Sequence, residues 1–429
     1  MDDHTSLRDS AEQALAWMKS AGFDHAQAGV SQSAMTELNI TLNEPSLMRS
    51  TELRKLSLVG LLDGRRAATE LGALDEASVR EAIAQLFMAA RSAPQDAANA
   101  VSCGQQAQIE RGPAEADAGL LADKVAELLQ FRAQETPRMM IEEGTASHQR
   151  QDSHLLTTGG SELRCRRGWY EMTAFGSAHE GARTSSFNVA AGTSAELASR
   201  PAPDWFGIGD MLRDTSQQVD TRPLDRKFVG EVVLTPPAVE DLLGWLLGQL
   251  SDTALISGSS LYRERVGQIV AAPSLGLRSR FEVPGVAPFT ADGFAPGSVE
   301  LLRDGRLLTL LPRLYGSRRT GLPHVPVAEG GWEISPGERS RGDLVASVAR
   351  GAVVGRLSMG MPAANGDFSG VIKNSFLVES GVVGTALSEV MISGNIARML
   401  QDLRAVSRER IDTGATLLPW LQIGGLHFS

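Results

Sequence analysis

The most regular apolar pattern in the chain lies between Thr235 and Leu250. Apolar side chains recur there at intervals of three and four residues, at Val239, Leu242, Leu243, Leu246, Leu247 and Leu250. This spacing predicts a helix with one broad apolar face. Thr235 stands where an N-cap belongs, and Pro236 suits the first helical turn. We therefore predict a buried helix whose one polar side chain beyond the first turn is the neutral amide of Gln249.

The first hundred residues alternate between helical and strand patterns. Apolar positions predict a helix over 7–20, strands over 26–42 and 55–62, and a second helix through Val79 and Ala90. Asp63-Gly64 is a typical hairpin turn. Residues 93–118 are rich in Ala, Gln, Gly and Pro, which favours a surface connection and a domain boundary.

The rest of the chain predicts more sheet than helix. We expect helices over 119–134 and 208–218, and strands over 138–143, 149–157, 164–177 and 228–234. Short strands with Gly and Pro between them dominate the last two hundred residues. Two hairpins are expected there, one at Asp304-Gly305 and one at Ser380-Gly381.

These elements predict an α+β protein of three parts. We expect an N-terminal domain of helices and antiparallel sheet over residues 1–110, and a central α+β region over 111–220. A strand-rich C-terminal domain built around the one buried helix should cover 221–429. A chain of 429 residues is long enough for two or three domains.

Composition narrows the functional classes. The formal net charge of −10 argues against binding to nucleic acid, which depends on attraction to phosphates. The two cysteines, Cys103 and Cys165, are too few for a disulfide framework or a thiolate zinc site. We see neither a signal peptide nor a run of about 18 apolar residues. We therefore expect a cytoplasmic protein that does not contact a membrane.

Polar clusters offer little catalytic chemistry. His179-Glu180 begins like a zinc-binding HExxH motif, but Arg183 stands where the second His is needed. His148, Arg150, Asp152 and His154 share one face of a strand, and we favour a solvated polar face over a metal site. Arginines next to Cys165 could lower its thiol pKa, although a strand cysteine among solvated arginines is the simpler interpretation.

Three stretches near the C-terminus are more specific. They are Gly366-Asp-Phe-Ser-Gly370, Asn374-Ser-Phe-Leu-Val-Glu-Ser-Gly381 and Glu389-Val-Met-Ile-Ser-Gly-Asn395. Taken alone, they would be tight turns in a β-domain. Their order and spacing resemble the TldD/PmbA family, and the resemblance extends back through Asp292-Gly-Phe-Ala-Pro-Gly297 and Ser257-Gly-Ser-Ser-Leu261.

The resemblance implies that a catalytic motif is missing here. TldD-type members are zinc metallopeptidases that carry HExxxH on the helix corresponding to residues 235–250, with a Cys ligand near the C-terminus. Laid on that motif, the first His falls at Gly244, the Glu at Trp245 and the second His at Gln249. Gly and Trp supply neither a zinc ligand nor a base, and no Cys follows Cys165. The departure is similar to the PmbA (TldE) branch.

The expected function follows from that branch. It implies a non-catalytic subunit of a heterodimeric TldD/TldE-type zinc metallopeptidase that degrades unfolded or flexible peptides. The zinc would belong to the TldD-type partner, with no cofactor in this chain, and a homodimer would form when the partner is absent. Side chains expected to line the shared cavity, unless they only stabilise turns, are Asp367, Phe368, Ser369, Asn374 and Asn395. The alternatives are an independent hydrolase, acting as a stand-alone homodimer, and a regulatory protein-binding module of the gyrase-modulator kind.

Overall fold

The computed structural model describes residues 3–388 and 390–429. Glu389, the first residue of the stretch Glu389–Asn395, lies outside the described residues. The chain is an α+β protein with two large sheets, which confirms the predicted fold class.

Residues 3–222 contain four helices and nine strands. The helices are α1 (Asp3–Ser20), α2 (Glu76–Ser92), α3 (Ala118–Glu135) and α4 (Ile208–Ser216). The strands are β1 (His25–Thr41), β2 (Glu44–Leu62), β3 (Arg65–Leu71), β4 (Gln106–Arg111), β5 (Met139–Thr157), β6 (Glu162–Glu180), β7 (Arg183–Thr184), β8 (Asn188–Ser194) and β9 (Thr221–Arg222). A short 3-10 turn covers Ala202–Asp204.

Strands β1 to β8 form one eight-stranded sheet, in the order β3-β2-β1-β5-β6-β4, with β7 and β8 also on β6. Four helices cover one side of it. Helices α1 and α2 bury Leu7, Met18 and Ile83 over β1 and β2, and α3 and α4 bury Leu121 and Leu212 over β5 and β6. The sheet thus continues across residue 110, and the three-domain division stays a prediction.

The connection over residues 93–118 is more structured than its composition predicts. Val101 and Ser102 are buried, and β4 pairs in parallel with β6. Further on, the chain crosses the sheet at Pro113. The carbonyl oxygen of Pro113 lies so close to β6 that a Cβ at Gly168 would be 1.7 Å from it. This crossing segment covers the polar middle of β5, on the same side of the sheet as the helices.

The polar face of β5 is therefore buried, and the prediction of a solvated face was wrong. His148, Asp152 and His154 are at most 4% exposed. His148 donates from Nε2 to the Pro113 carbonyl at 2.9 Å, and Asp152 accepts hydrogen bonds from Arg150 and Arg166. Burial lowers the pKa of His148, and the positive charge of Arg150 lowers it further. The hydrogen bond to Pro113 raises this pKa but does not outweigh burial.

The thiol of Cys165 also differs from expectation. Cys165 is fully buried, and this burial raises its pKa to about 11 despite the nearby positive charges of Arg167 and Arg111. The arginines therefore do not activate the thiol, and its surroundings are not solvated.

The C-terminal half, described over residues 223–388 and 390–429, contains five helices and thirteen strands. The helices are α5 (Pro236–Leu250), α6 (Asp252–Ser257), α7 (Leu314–Thr320), α8 (Arg341–Ala346) and α9 (Ile396–Gln401). The strands are β10 (Phe228–Leu234), β11 (Leu277–Ser279), β12 (Glu300–Arg303), β13 (Arg306–Leu307), β14 (Trp332–Ile334), β15 (Arg350–Val354), β16 (Arg356–Ser358), β17 (Asp367–Lys373), β18 (Ser375–Glu379), β19 (Val382–Leu387), β20 (Met391–Asn395), β21 (Leu403–Asp412) and β22 (Leu417–Phe428).

These strands and β9 form a fourteen-stranded sheet around α5. Its main path runs β13-β12-β11-β14-β22-β10-β15-β18-β19-β9, and β22 also pairs with β20 and β21. The largest hydrophobic core of the protein joins the apolar face of α5 to β10 and β22. The ring of Phe228 at the start of β10 stacks on that of Phe428 at 4.5 Å.

A loop of the C-terminal half binds the uncovered side of the first sheet. Arg111 and Arg167 donate to the carbonyls of Phe281 and Val286, at 3.1 and 2.7 Å, and Gln27 donates to Ala291 at 3.4 Å. Strand side chains thus hold the two halves together through main-chain acceptors. No helix within the described ranges is both long and apolar enough to cross a membrane.

Candidate functional site

Helix α5 has one buried face and one bare face. Val239, Leu242, Leu246 and Leu250 are at most 1% exposed and lie in the core. On the opposite side, a Cβ added at Gly244 or Gly248 would meet no atom within 4 Å. Thr235 occupies the N-cap position as expected, but its hydroxyl donates to the Gly355 carbonyl at 3.0 Å instead of capping the helix.

Gln249 ties the end of α5 to two other segments. Its side chain is 7% exposed. Its Oε1 accepts a hydrogen bond from the Leu261 amide at 2.9 Å, and its Nε2 donates to the Ala364 carbonyl at 3.3 Å. The amide thus connects the segment after α6 to the loop 359–366, which joins β16 to β17.

Trp245 packs against the same end of that loop, two residues beyond Ala364. Gly366 has φ +90, and a Cβ on it would lie 3.1 Å from the Trp245 ring. A side chain at this position would therefore be strained both by its backbone conformation and by contact. On its other side Trp245 meets Tyr262 edge to face, with 6.2 Å between ring centroids.

Tyr262 is buried with an unsatisfied hydroxyl. The side chain is 2% exposed, and its oxygen has no hydrogen-bond partner among the described residues. Burial raises the pKa of the phenol to about 12, so the hydroxyl stays protonated at neutral pH. Sequence patterns gave no indication of this residue.

The turn after Gly366 is held by a polar network. Asp367 accepts hydrogen bonds from the side-chain amides of Asn395 and Asn365, both at 2.8 Å. Asn395 also donates to the Asn365 carbonyl and caps α9 by accepting from the Arg398 amide at 3.0 Å. The hydrogen bonds from Asn395 and Asn365 hold the pKa of Asp367 below its usual range, so it is a carboxylate at neutral pH.

The other three residues predicted to line a cavity do not join this network. Phe368 is 7% exposed and belongs to the core. Ser369 is exposed on β17 opposite Ser393. Asn374 lies at the far end of β17 with φ 50, is 5% exposed, and donates to the Phe187 carbonyl at 3.3 Å.

The three residues that the resemblance aligns with the zinc motif, Gly244, Trp245 and Gln249, do not fit a zinc ion. Gly244 has no donor atom, and the indole of Trp245 has no available lone pair on nitrogen. Both ends of the Gln249 amide are already hydrogen-bonded. Across residues 3–388 and 390–429, no three His, Cys, Asp or Glu side chains are grouped so that they could hold a metal. His179 and Arg183 lie on adjacent strands, not on a helix.

One exposed residue of this region was also missed. Met361, at the tip of the loop 359–366, is 98% exposed. Gln249 and Trp245 contact the loop at Ala364 and Gly366, so its C-terminal end is held against α5, while Met361 lies nearer its other end. A glycine-rich stretch in the sequence indicates a turn, but it does not say what the turn presents.

Part of the chain matches a known protein family. Residues 229–429 match the PmbA/TldA metallopeptidase C-terminal domain. The Metalloprotease PmbA of Escherichia coli O157:H7 is 26% identical over 240 residues, and the match spans 53% of this chain and only about half, 53%, of that relative's length.

Two solved structures share the whole fold at 18% identity. One is TldE from Thermococcus kodakarensis, with a TM-score of 0.82 and coverage of 98% of this chain and 100% of that one. The other is a candidate modulator of DNA gyrase from Bacteroides thetaiotaomicron, with a TM-score of 0.83 and coverage of 100% and 99%.

Proposed function

Because the chain belongs to the PmbA/TldD metallopeptidase family, we propose that it is the non-catalytic subunit of a heterodimeric peptidase. Its partner would be a TldD-type subunit that holds the zinc ion and the catalytic base. The assembly would cleave unfolded or flexible peptides in the cytoplasm. This chain would carry no cofactor of its own.

The chemistry on α5 carries the proposal. A zinc peptidase needs ligands for the metal and a carboxylate that takes a proton from the metal-bound water. At the three corresponding positions this helix has Gly244, Trp245 and Gln249, and the last two hold the loop 359–366 against the helix. Trp245 and Gln249 therefore have a structural role in this chain, which supports the proposal that its α5 is not catalytic.

The anchored loop supports a role in contact with another chain. A methionine side chain that is 98% exposed buries almost no apolar surface within its own subunit. An unbranched thioether adapts to irregular apolar surfaces, which suits a flexible peptide or a neighbouring subunit. We propose that Met361 faces the cavity shared with the partner, next to the Asp367–Asn395 network.

Co-expression with a TldD-type protein from the same source tests the proposal. We expect peptide cleavage to require both chains and to persist when Gly244 is changed to Ala, because a Cβ has free space there. Cleavage by the partner at the same rate without this chain would refute the proposal. Asp367→Ala should lower cleavage if the turn serves the cavity, whereas a loss of thermal stability alone would assign it to the fold.

The regulatory alternative predicts a different result. A gyrase-modulator-like protein would act by protein contact, without a TldD-type partner and without peptide cleavage. Affinity purification of the tagged chain therefore separates the two functions. Recovery of a TldD-type subunit in equal amounts supports the peptidase assembly, and its absence from a source that expresses it supports the alternative.

A further inference from the structure

A cleft of about 440 Å³ opens where the two halves of the chain meet. One wall is the turn 95–98, which follows α2, and the other is the last turn of α7. The lining combines two guanidinium groups, one carboxylate, one amide and two methyl groups, from Gln95, Asp96, Ala97, Ala98, Arg318 and Arg319. The volume is within the range of about 300–1,000 Å³ that is usual for small-molecule sites.

The turn 95–98 is a fixed wall. The amide of Asp96 donates to the Gly64 carbonyl at 3.0 Å, and the side chain of Asn99 donates to the same carbonyl at 2.9 Å. The Asp96 carboxylate also accepts from the Ala98 amide at 2.8 Å. The turn is thus tied to the hairpin between β2 and β3, and the carboxylate is oriented by its own backbone.

Helix α7 is fixed independently of the turn. Asp252 accepts from the Gly316 amide at 3.2 Å, and Asp292 accepts from the Leu314 amide at 2.8 Å. Both carboxylates belong to the C-terminal half. The helix therefore holds its position without a ligand in the cleft.

Three contacts join the walls at the base of the cleft. The Tyr315 hydroxyl donates to Asp96 at 2.9 Å, Arg319 forms an ion pair with Asp96 at 3.5 Å, and Arg318 donates to the Ala97 carbonyl at 2.8 Å. Hydrogen bonds from the backbone and from Tyr315 lower the pKa of Asp96, so it is a carboxylate at neutral pH. The cleft is thus formed before any ligand binds.

Both arginines keep unused donors. A guanidinium carries five N–H groups in a planar fork that matches the two oxygens of a carboxylate. Arg318 uses one donor for the Ala97 carbonyl, and Arg319 meets Asp96 through one nitrogen. Neither guanidinium has a further acceptor within residues 3–388 and 390–429. The remaining donors are available to an oxyanion.

The charges of the lining favour an anion with one charge. Arg318 and Arg319 supply two positive charges and Asp96 supplies one negative charge, which leaves one positive charge in a protein whose formal net charge is −10. A single negative charge neutralises the cleft, whereas the second charge of a dianion would be repelled by Asp96. The methyl groups of Ala97 and Ala98 offer a small apolar surface beside these charges.

We propose that the cleft between the turn 95–98 and α7 binds a small carboxylate of single charge, with its oxygens on Arg318 and Arg319 and a short apolar tail against Ala97 and Ala98. The bound molecule then contacts both halves of the chain. Free organic acids and amino acids share this chemistry. The inference is independent of the peptidase assembly, because this chain alone provides the whole lining.

Nuclear magnetic resonance of the full chain with ¹⁵N-labelled arginine tests the site. At about pH 6.5, propionate is ionised, and it is added at constant ionic strength. We expect the Nε–H signals of Arg318 and Arg319 to shift and to saturate, while that of Arg303, an exposed arginine paired with Glu300, stays in place. L-alanine in place of propionate identifies the source, because tighter binding indicates an amino acid and weaker binding an organic acid.

Substitutions separate specific binding from diffuse attraction. Arg319→Gln should weaken propionate binding by at least about tenfold, because it removes a charge-assisted fork. Arg319→Lys keeps the charge without the fork and should also bind more weakly than the unmodified chain. Arg303→Gln loses the same charge outside the cleft and should bind as the unmodified chain does. Thermal melts confirm that each variant is folded.

Four results would overturn the proposal. They are an absence of saturable shifts at Arg318 and Arg319, sulfate binding as tightly as propionate, L-alaninamide binding as tightly as L-alanine, and equal weakening by Arg303→Gln and Arg319→Gln. Sulfate tests the preference for a single charge, and L-alaninamide lacks the carboxylate. Because no partner subunit is present, failure here leaves the proposed peptidase assembly untouched.

Discussion

Replacing Gln249 by Leu tests whether this side chain holds the loop 359–366 in place. Leu has a similar volume and preserves the helix, but it can neither accept from the Leu261 amide nor donate to the Ala364 carbonyl. The Leu261 amide and the Ala364 carbonyl would each lose a hydrogen-bond partner. The loss is in a buried position, because the side chain at 249 is 7% exposed. We expect the loop to separate from α5 more readily.

The magnitude follows from the two hydrogen bonds. A buried polar group that loses its partner costs about 1–3 kcal/mol. The bond to Leu261 is 2.9 Å long, whereas the bond to Ala364 is 3.3 Å and is therefore the weaker of the two. Together they should lower local stability by about 2–4 kcal/mol, after a small gain from the apolar side chain. This corresponds to amide exchange that is roughly 30- to 700-fold faster.

Hydrogen exchange measured residue by residue is the suitable assay, because a chain of this size need not unfold in one step. The amides of Leu261 and Gly366 report on the two segments, and that of Leu246 reports on the helix itself. Gln85→Leu, at an exposed glutamine of α2, is the control and should change stability by less than about 0.5 kcal/mol. Unchanged exchange at Leu261 and Gly366 would refute the reasoning, and equal acceleration at Leu246 would show loss of the helix instead.

Three further predictions concern metal, pH and thiols. The purified chain should hold no stoichiometric zinc by metal analysis, and Gly244→His, Trp245→Glu and Gln249→His together should not create peptidase activity, because the Cys ligand is still missing. Burial lowers the pKa of His148 in the folded protein. The contribution of neutral His148 to folding stability is therefore complete above the pKa of about 6.5 that it has in the unfolded chain. It is lost as the pH falls through the lower pKa of the folded protein. Melting temperatures of the unmodified chain should therefore fall more steeply below that pH than those of His148→Gln, and parallel curves would contradict this. In the native protein a disulfide exchange reagent should titrate Cys103 rapidly and Cys165 only after denaturation, because Cys165 is buried and its thiol pKa is about 11.

Local patterns predicted the elements near the site well. Strand β10 covers Phe228–Leu234 as expected, and α5 begins and ends within a residue of its predicted bounds. Here the apolar periodicity and Pro236 in the first turn agree, so the local sequence determines the structure, although the Thr235 side chain does not cap the helix. Strand β4 was missed because Gln106–Arg111 is mostly polar and forms its strand by pairing with β6.

Contacts between distant segments could not be predicted. The polar side chains of β5 indicate solvent when considered alone, and the crossing of Pro113, 35 residues away from His148, reverses that prediction. Asp367 and Asn395 come together because β17 and β20 pair there, while Asn374 lies at the other end of β17. The role of Gln249 depends on a loop more than a hundred residues further along the chain.

The pairing of β10 with β22 has a consequence for biosynthesis. Phe228 lies opposite Phe428, so β10 has to wait for 200 more residues before its antiparallel neighbour leaves the ribosome. At translation rates of about 5–20 residues per second, this delay is roughly 10–40 s. During that time the apolar residues of β10 and α5 lack the strand that completes their core. We expect the nascent chain to depend on chaperones over this interval, and ribosome profiling of chaperone-bound complexes should detect binding that begins soon after α5 emerges and ends after residue 428.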